Sequence, residues 1–165
     1  MTHETRSPAS LDYVRAFVQA AERVLGEVIG EVPTKGAPVF QTEPSVALQE
    51  VNVTVGITGD LQGQANFGMN MPTALALAST MMMETVDGLD EMSISALQEL
   101  ANMISGNARF FLNDLGMRSD ITPPTMLVGK EMTAAWHRIR AMTVPLDLSA
   151  GKIFVTVGIR QGESA

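Results

Sequence analysis

Apolar residues recur at helical spacing between Leu11 and about Ile29, with Val14, Phe17, Val18, Ala21, Val24, Leu25 and Val28 on one face. Ser10 stands where a cap is needed, and Gly30 and Pro33 stop the helix. Residues 1–9 are mostly polar and read as a frayed, disordered tail. The segment TKGAPVFQTEP holds two prolines and reads as loop or edge strand. The period then changes to two. Val53, Val55 and Ile57 alternate with Asn52, Thr54 and Gly56, so residues 46–57 and 61–69 read as a hairpin turned at Gly59–Asp60.

A second helix is expected over TALALASTMMME, with Pro72 in its first turn, followed by a loop at DGLDE. A long third helix covers SALQELANMISGNARFFLNDLG, from Ser95 to Gly116, with Ser93 as its cap and Gly116 as its stop. ITPPTMLVG has to be extended, because Pro123 and Pro124 bar a helix. HRIRAMTVPLDL and GKIFVTVGIR alternate again and make a second hairpin closed by SAG. The order is helix, hairpin, two helices, hairpin. It predicts an α+β fold: a single layer of mainly antiparallel sheet packed against helices. The two helix–hairpin halves are pseudo-duplicated, and the domain is expected to span residues 10–162.

The third helix has two faces. At about 100° per residue, Leu97, Leu100, Ala101, Ile104, Ala108, Phe111 and Leu115 share one apolar sector. Ser95, Glu99, Asn102 and Gly106 cluster within about 60° on the opposite side, and Asn113 extends them. Glu99 and Asn102 are an i, i+3 pair whose tips can meet one object, and Gly106 lets a partner backbone approach. An ordinary solvated face also carries Glu, Asn and Ser. It would more commonly use Lys, Arg or Gln than Asn and Gly at interior positions. Periodicity leaves both readings open.

Composition removes several functions. The chain has 165 residues, net charge −7 and no cysteine, which excludes disulfides, thiol nucleophiles and thiolate metal sites. Arg138 and Arg140 are the densest basic pair, so neither nucleic acid nor an anionic membrane is an expected partner. The stretch MNMPTALALASTMMM is too short to span a bilayer, and the polar MTHETRSPAS shows no secretory signal. A cytoplasmic protein is expected. Met81–Met83 point in three helical directions and read as core or interface filler rather than a soft-metal site. His3 and His137 have no carboxylate–histidine cluster around them, and Trp136 reads as a core or interface anchor. GITGDLQGQ lacks a following Lys-Ser/Thr and sits in a hairpin, so it is not a phosphate loop. Ser95 and Ser105 have no His/Asp partners in sequence for hydrolase chemistry.

SALQELANMISGNARFFL followed by DITPPTMLVG resembles the CheX branch of the CheC/CheX/FliY chemotaxis phosphatases, and VTVGITGDLQGQANFGM resembles that family's first hairpin. The likeness covers roughly residues 46–160, and the motif falls on Ser95, Glu99, Asn102 and Pro124 (or Pro123). It implies a phosphatase that removes the aspartyl phosphate of a CheY-type response regulator. Glu99 would pair with a regulator lysine, and Asn102 would orient the attacking water. Ser95, Gly106 and Pro124 would be partner contacts. The metal ion, Mg²⁺, would belong to the regulator, so the chain would need no cofactor and no metal ligands of its own. The first helix has Leu25 three residues after Glu22, so one site per chain is expected, as is a homodimer. The alternative is a non-catalytic regulator-binding or flagellar-switch-like module of the same fold, which would have no need of the Glu99–Asn102 pair.

Overall fold

Val51, Val53, Val55 and Ile57 alternate along one strand, and all four are buried on the same face. The layer built on them is seen in a computed structural model that describes residues 8–60, 62–135 and 139–160. In chain order the elements are α1 (Pro8–Val28), β1 (Thr34–Lys35), β2 (Val39–Phe40), β3 (Ser45–Ala47), β4 (Val51–Gly59) and β5 (Gly63–Met69). They continue with α2 (Met71–Met82), α3 (Glu91–Asp114), β6 (Ser119–Ile121), β7 (Thr125–Val128), β8 (Thr133–Ala135), β9 (Ile139–Leu148) and β10 (Gly151–Arg160). Eight strands form one antiparallel sheet in the order β1-β9-β10-β5-β4-β6, with β2 also pairing β9 and β7 also pairing β4. β3 and β8 make a separate two-stranded ribbon. This is the α+β architecture that the alternating periods predict.

Cross-strand register turns the alternation into rows. Val53, Phe67, Val155 and Val144 stand side by side on the helix-facing side, and all are buried. The neighbouring row, Thr54, Asn66, Thr156 and Thr143, faces the other way. It satisfies itself in pairs: Thr54 Oγ1 donates to Asn66 Oδ1 (2.7 Å), and the Thr143 and Thr156 hydroxyls meet at 2.7 Å. α1 and α3 pack on each other and on the apolar rows, with Phe17 tilted 46° against Phe67 at 6.3 Å between ring centroids.

The ends of the elements depart from the sequence reading. Ser10 lies inside α1, which already runs from Pro8. Residues 8 and 9 are therefore helical rather than tail, while residues 1–7 lie outside the described residues, as do 161 and 162. The first hairpin begins at Val51, and Ser45–Ala47 pairs instead with β8. The edge reading of TKGAPVFQTEP holds, since β1 and β2 lie along β9. α2 stops at Met82; Met83 is left-handed (φ 59°) and exposed, and Met81 packs partly against the core.

Ser93 is not the cap of α3. Asp90 is, accepting the Ser93 N–H at 2.9 Å while the Ser93 hydroxyl accepts the Asp90 N–H at 2.8 Å. The bond from the Ser93 N–H, then that from its hydroxyl, holds the Asp90 carboxyl below the ordinary 3.8. A reciprocal box uses a short polar residue at both positions, so sequence alone mistakes one for the other. The predicted core face also shifts at its end: Leu112 is fully buried, Phe111 half-buried and Leu115 58% exposed. The helix ends at Asp114, so Leu115 no longer follows the helical phase.

Ser105 belongs to the buried face, and its hydroxyl has no hydrogen-bond partner among the described residues. Ser105→Ala is expected to be neutral or stabilising, by up to about 1 kcal/mol, because it removes an unpaid desolvation. Calorimetry would register this as a melting temperature unchanged or raised by ~2–4 °C.

Candidate active site: the exposed face of the long helix

Because Leu97, Leu100, Ala101, Ile104, Ala108 and Leu112 turn α3 firmly toward the core, its opposite stripe is fixed in solvent. Ser95, Glu99 and Asn102 are all exposed, and Gly106 is half-buried. Ser95, Gln98, Glu99 and Asn102 form one wall of a cleft of about 500 Å³ whose other wall is Ile121, Thr122, Pro123 and Pro124. Five residues singled out from sequence thus meet in one place. Gly106 lies one turn further along the helix, beyond the cleft lining. Gln98 was not singled out. It is half-buried, and its amide donates to the Pro124 carbonyl at 3.3 Å, tying the two walls together. The only sequence signal for it was its place one residue before Glu99.

The prolines reach α3 through a fault in the sheet. β6 and β7 both pair with β4, Ile121 opposite Ile57 and Thr125 opposite Thr54. Residues 122–124 therefore face only 55 and 56, and one extra residue bulges out. Proline suits the bulge because it has no N–H to leave unpaired. Thr122 repairs the ladder: its N–H donates to Gly56 O (3.0 Å), and its hydroxyl accepts the Gly56 N–H (2.7 Å). A Cβ on residue 56 would lie 3.1 Å from both Oγ1 and Cγ2 of Thr122. The glycine in GITG and the threonine in DITPPT are thus two halves of one joint. No described peptide bond is cis, so the prolines act through this bulge. Gly56→Val is expected to cost about 1–3 kcal/mol in a urea unfolding titration, as the added side chain displaces Thr122.

Chemically the cleft offers a carboxylate, two amides and hydroxyls. Among the described residues Glu99 is its one charged lining residue, and no lysine or arginine lines it. Among the described residues no group of three His, Asp or Glu side chains is placed to hold a metal ion. A phosphoryl group bound here would need its countercharge from the molecule that carries it. The other sequence features fall away. The glycine-rich turn after β4 is filled by protein: Asp60 Oδ2 accepts the Arg118 N–H at 2.9 Å. In α1, Glu22 pairs with Lys35 at 3.9 Å and Leu25 is buried, so α1 presents no second pair. His3, Trp136 and His137 lie outside the described residues. No described helix is long and apolar enough to cross a membrane.

Residues 51–147 match the protein family described as Chemotaxis phosphatase CheX. Over 121 residues, covering 72% of this chain and 77% of the relative, the sequence is 36% identical to the CheY-P phosphatase CheX of Thermotoga maritima. The crystal structure of a chemotaxis protein CheX from Desulfovibrio desulfuricans superposes with TM-score 0.82 at 25% identity, over 90% of this chain and 99% of that one. CheX in the CheX–CheY–BeF3–Mg²⁺ complex from Borrelia burgdorferi superposes with TM-score 0.77 at 31% identity, over 90% and 98%. The family match takes in the whole of α3, the bulge at Pro123–Pro124 and strand β4, on which β6 and β7 pair. The chain belongs to the CheX family of chemotaxis phosphatases.

Proposed function

We propose that this chain hydrolyses the aspartyl phosphate of a CheY-type response regulator, with Asn102 orienting the attacking water and Glu99 docking to a regulator lysine. One observation carries the reading. Glu99 and Asn102 project together from the exposed side of a helix whose other side is core, into an open cleft that supplies no cation. An acyl phosphate is already reactive, so catalysis is mainly a matter of placing water in line with the breaking P–O bond. The water oxygen bonds to phosphorus, the regulator's aspartate leaves as a carboxylate, and the water's proton passes to phosphate or solvent. A neutral amide can hold that water without repelling the phosphoryl oxygens, where a carboxylate would not. A charge-assisted bond to lysine suits Glu99 for docking.

The remaining residues fit contact roles. A Cβ on Gly106 would meet nothing within 4 Å among the described residues. The fold therefore does not demand glycine there, although glycine costs a helix about 1 kcal/mol relative to alanine. A closely approaching partner backbone does demand it. Ser95 and Pro124 edge the same cleft. Mg²⁺ is read as the regulator's, and the reaction as cytoplasmic with that partner. Homodimer formation is supported by edge strand β2, where Val39 and Phe40 are 58% and 65% exposed. The test is phosphate release from a CheY-type receiver domain charged with acetyl phosphate, with and without this chain. Accelerated release is expected; binding without acceleration would instead identify a regulator-binding module.

A further inference from the structure

We infer that Phe110 anchors the regulator-docking surface, extending it along α3 well beyond the cleft. The inference rests on the phosphatase reading and names where on α3 the regulator is gripped. Phe110 is 73% exposed, four residues before the helix ends at Asp114. Eleven positions separate it from Glu99, which is three turns plus about 20°, so the two lie on nearly one line along the helix. Gly106 falls on that line between them and contributes no side chain. The line therefore reads as acid, bare backbone, aromatic ring: a charged contact, a place of close approach and an apolar plug.

Reach decides whether a regulator seated at Asn102 covers Phe110. The eight positions between them span about 12 Å along the axis. A standard interface buries about 800 Å² on each partner, equivalent to a disc roughly 16 Å in radius. A receiver domain whose phosphoaspartate meets Asn102 thus lies over Phe110 unless it docks entirely toward the other end of the helix. The helix that carries the ring is also tied down. Arg109, beside it, donates from Nε to Ser119 O at 2.8 Å and pairs with Asp120 at 2.9 Å, fastening this part of α3 to β6. Phenylalanine is among the residue types enriched in the cores of protein interfaces. The matching feature on the regulator is an apolar patch about 12–16 Å from its phosphoaspartate.

The test measures phosphate release as a function of phosphorylated receiver-domain concentration for wild type, Phe110→Ser, Phe110→Leu and Asn102→Ala. Phe110→Ser is expected to raise KM about tenfold with kcat within about twofold, and Phe110→Leu to recover most of the loss. The melting temperature and the mass by light scattering should stay at wild-type values. An unchanged KM in Phe110→Ser, with Asn102→Ala still inactive, would overturn the anchor and leave the phosphatase reading standing. A fall in mass in Phe110→Ser would overturn it by assigning the ring to a contact between copies of this chain. A wild-type chain that failed to accelerate release would remove both.

Discussion

Asn102→Ala is expected to lower kcat by about 100-fold or more, leaving the regulator to lose phosphate at its own rate. KM should change little, because in the proposed role the amide would act on the water in the transition state and contribute little to holding the regulator. The same residue loss should leave binding to a receiver domain loaded with beryllofluoride and Mg²⁺ within a few-fold of wild type, as read by calorimetry. Asn102→Asp should be inactive too, although it is nearly isosteric, since a carboxylate would face the phosphoryl oxygens. Asn102→Gln moves the amide by one methylene and should retain little, because a misplacement of about 1 Å can cost as much as 100-fold. The other amide lining the cleft is Gln98, but it is half-buried and already bonded to Pro124 O. An Asn102→Ala chain that kept most of its activity would move the water-orienting role off α3.

The faces of α3 are legible in the sequence because burial acts on every turn of a helix in the same phase. Leu97, Leu100, Ala101, Ile104 and Ala108 all fell inward, and Ser95, Glu99 and Asn102 outward. The phase drifted over the last turn, where Leu112 is buried and Phe111 half-buried, and was lost at Leu115, where the helix had ended. Strand alternation was legible for the same reason in β4, β9 and β10, whose apolar positions lie in shared rows. Ends were less legible. Asp90 and Ser93 exchange hydrogen bonds symmetrically, so either looks like the cap. Ser45–Ala47 finds its partner nearly ninety residues later, at Thr133–Ala135, through a pairing with no local signature.

The site was legible as one helix face and as a separate Pro-Pro segment, but not as a cleft. Bringing them together depends on the one-residue excess of 122–124 over 55–56. It also depends on Thr122 completing the hydrogen bonds of Gly56. That relation lies between strands more than sixty residues apart and leaves only two short motifs in the sequence. Gln98 was missed because its role is to hold Pro124, and a residue that positions another carries no chemistry of its own to read.

Glu99→Lys is expected to have the second largest effect, and on KM rather than kcat. In the free chain Glu99 is exposed and lines the cleft alone among charged residues. Alone in water an ion pair there would contribute no more than about 1 kcal/mol. In the proposed complex docking would change its surroundings, because the regulator would exclude water from the cleft and the carboxylate would face the lysine at low dielectric. Losing one member of such a covered pair costs about 2–5 kcal/mol, much of it from the charge left behind on the other side. Glu99→Gln should therefore raise KM by roughly 30-fold or more, and Glu99→Lys further, with kcat at saturation near wild type. The loss should shrink when ionic strength rises, since salt weakens the wild-type attraction more than the neutral variant's contact. Pairing Glu99→Lys with the reciprocal Lys→Glu change in the regulator should recover part of the binding, measured with both proteins carrying both charges in a double-mutant cycle. A wild-type KM in Glu99→Gln at low salt would show that the carboxylate does not meet the regulator's lysine, and docking would then rest on the aromatic and glycine contacts of α3 alone.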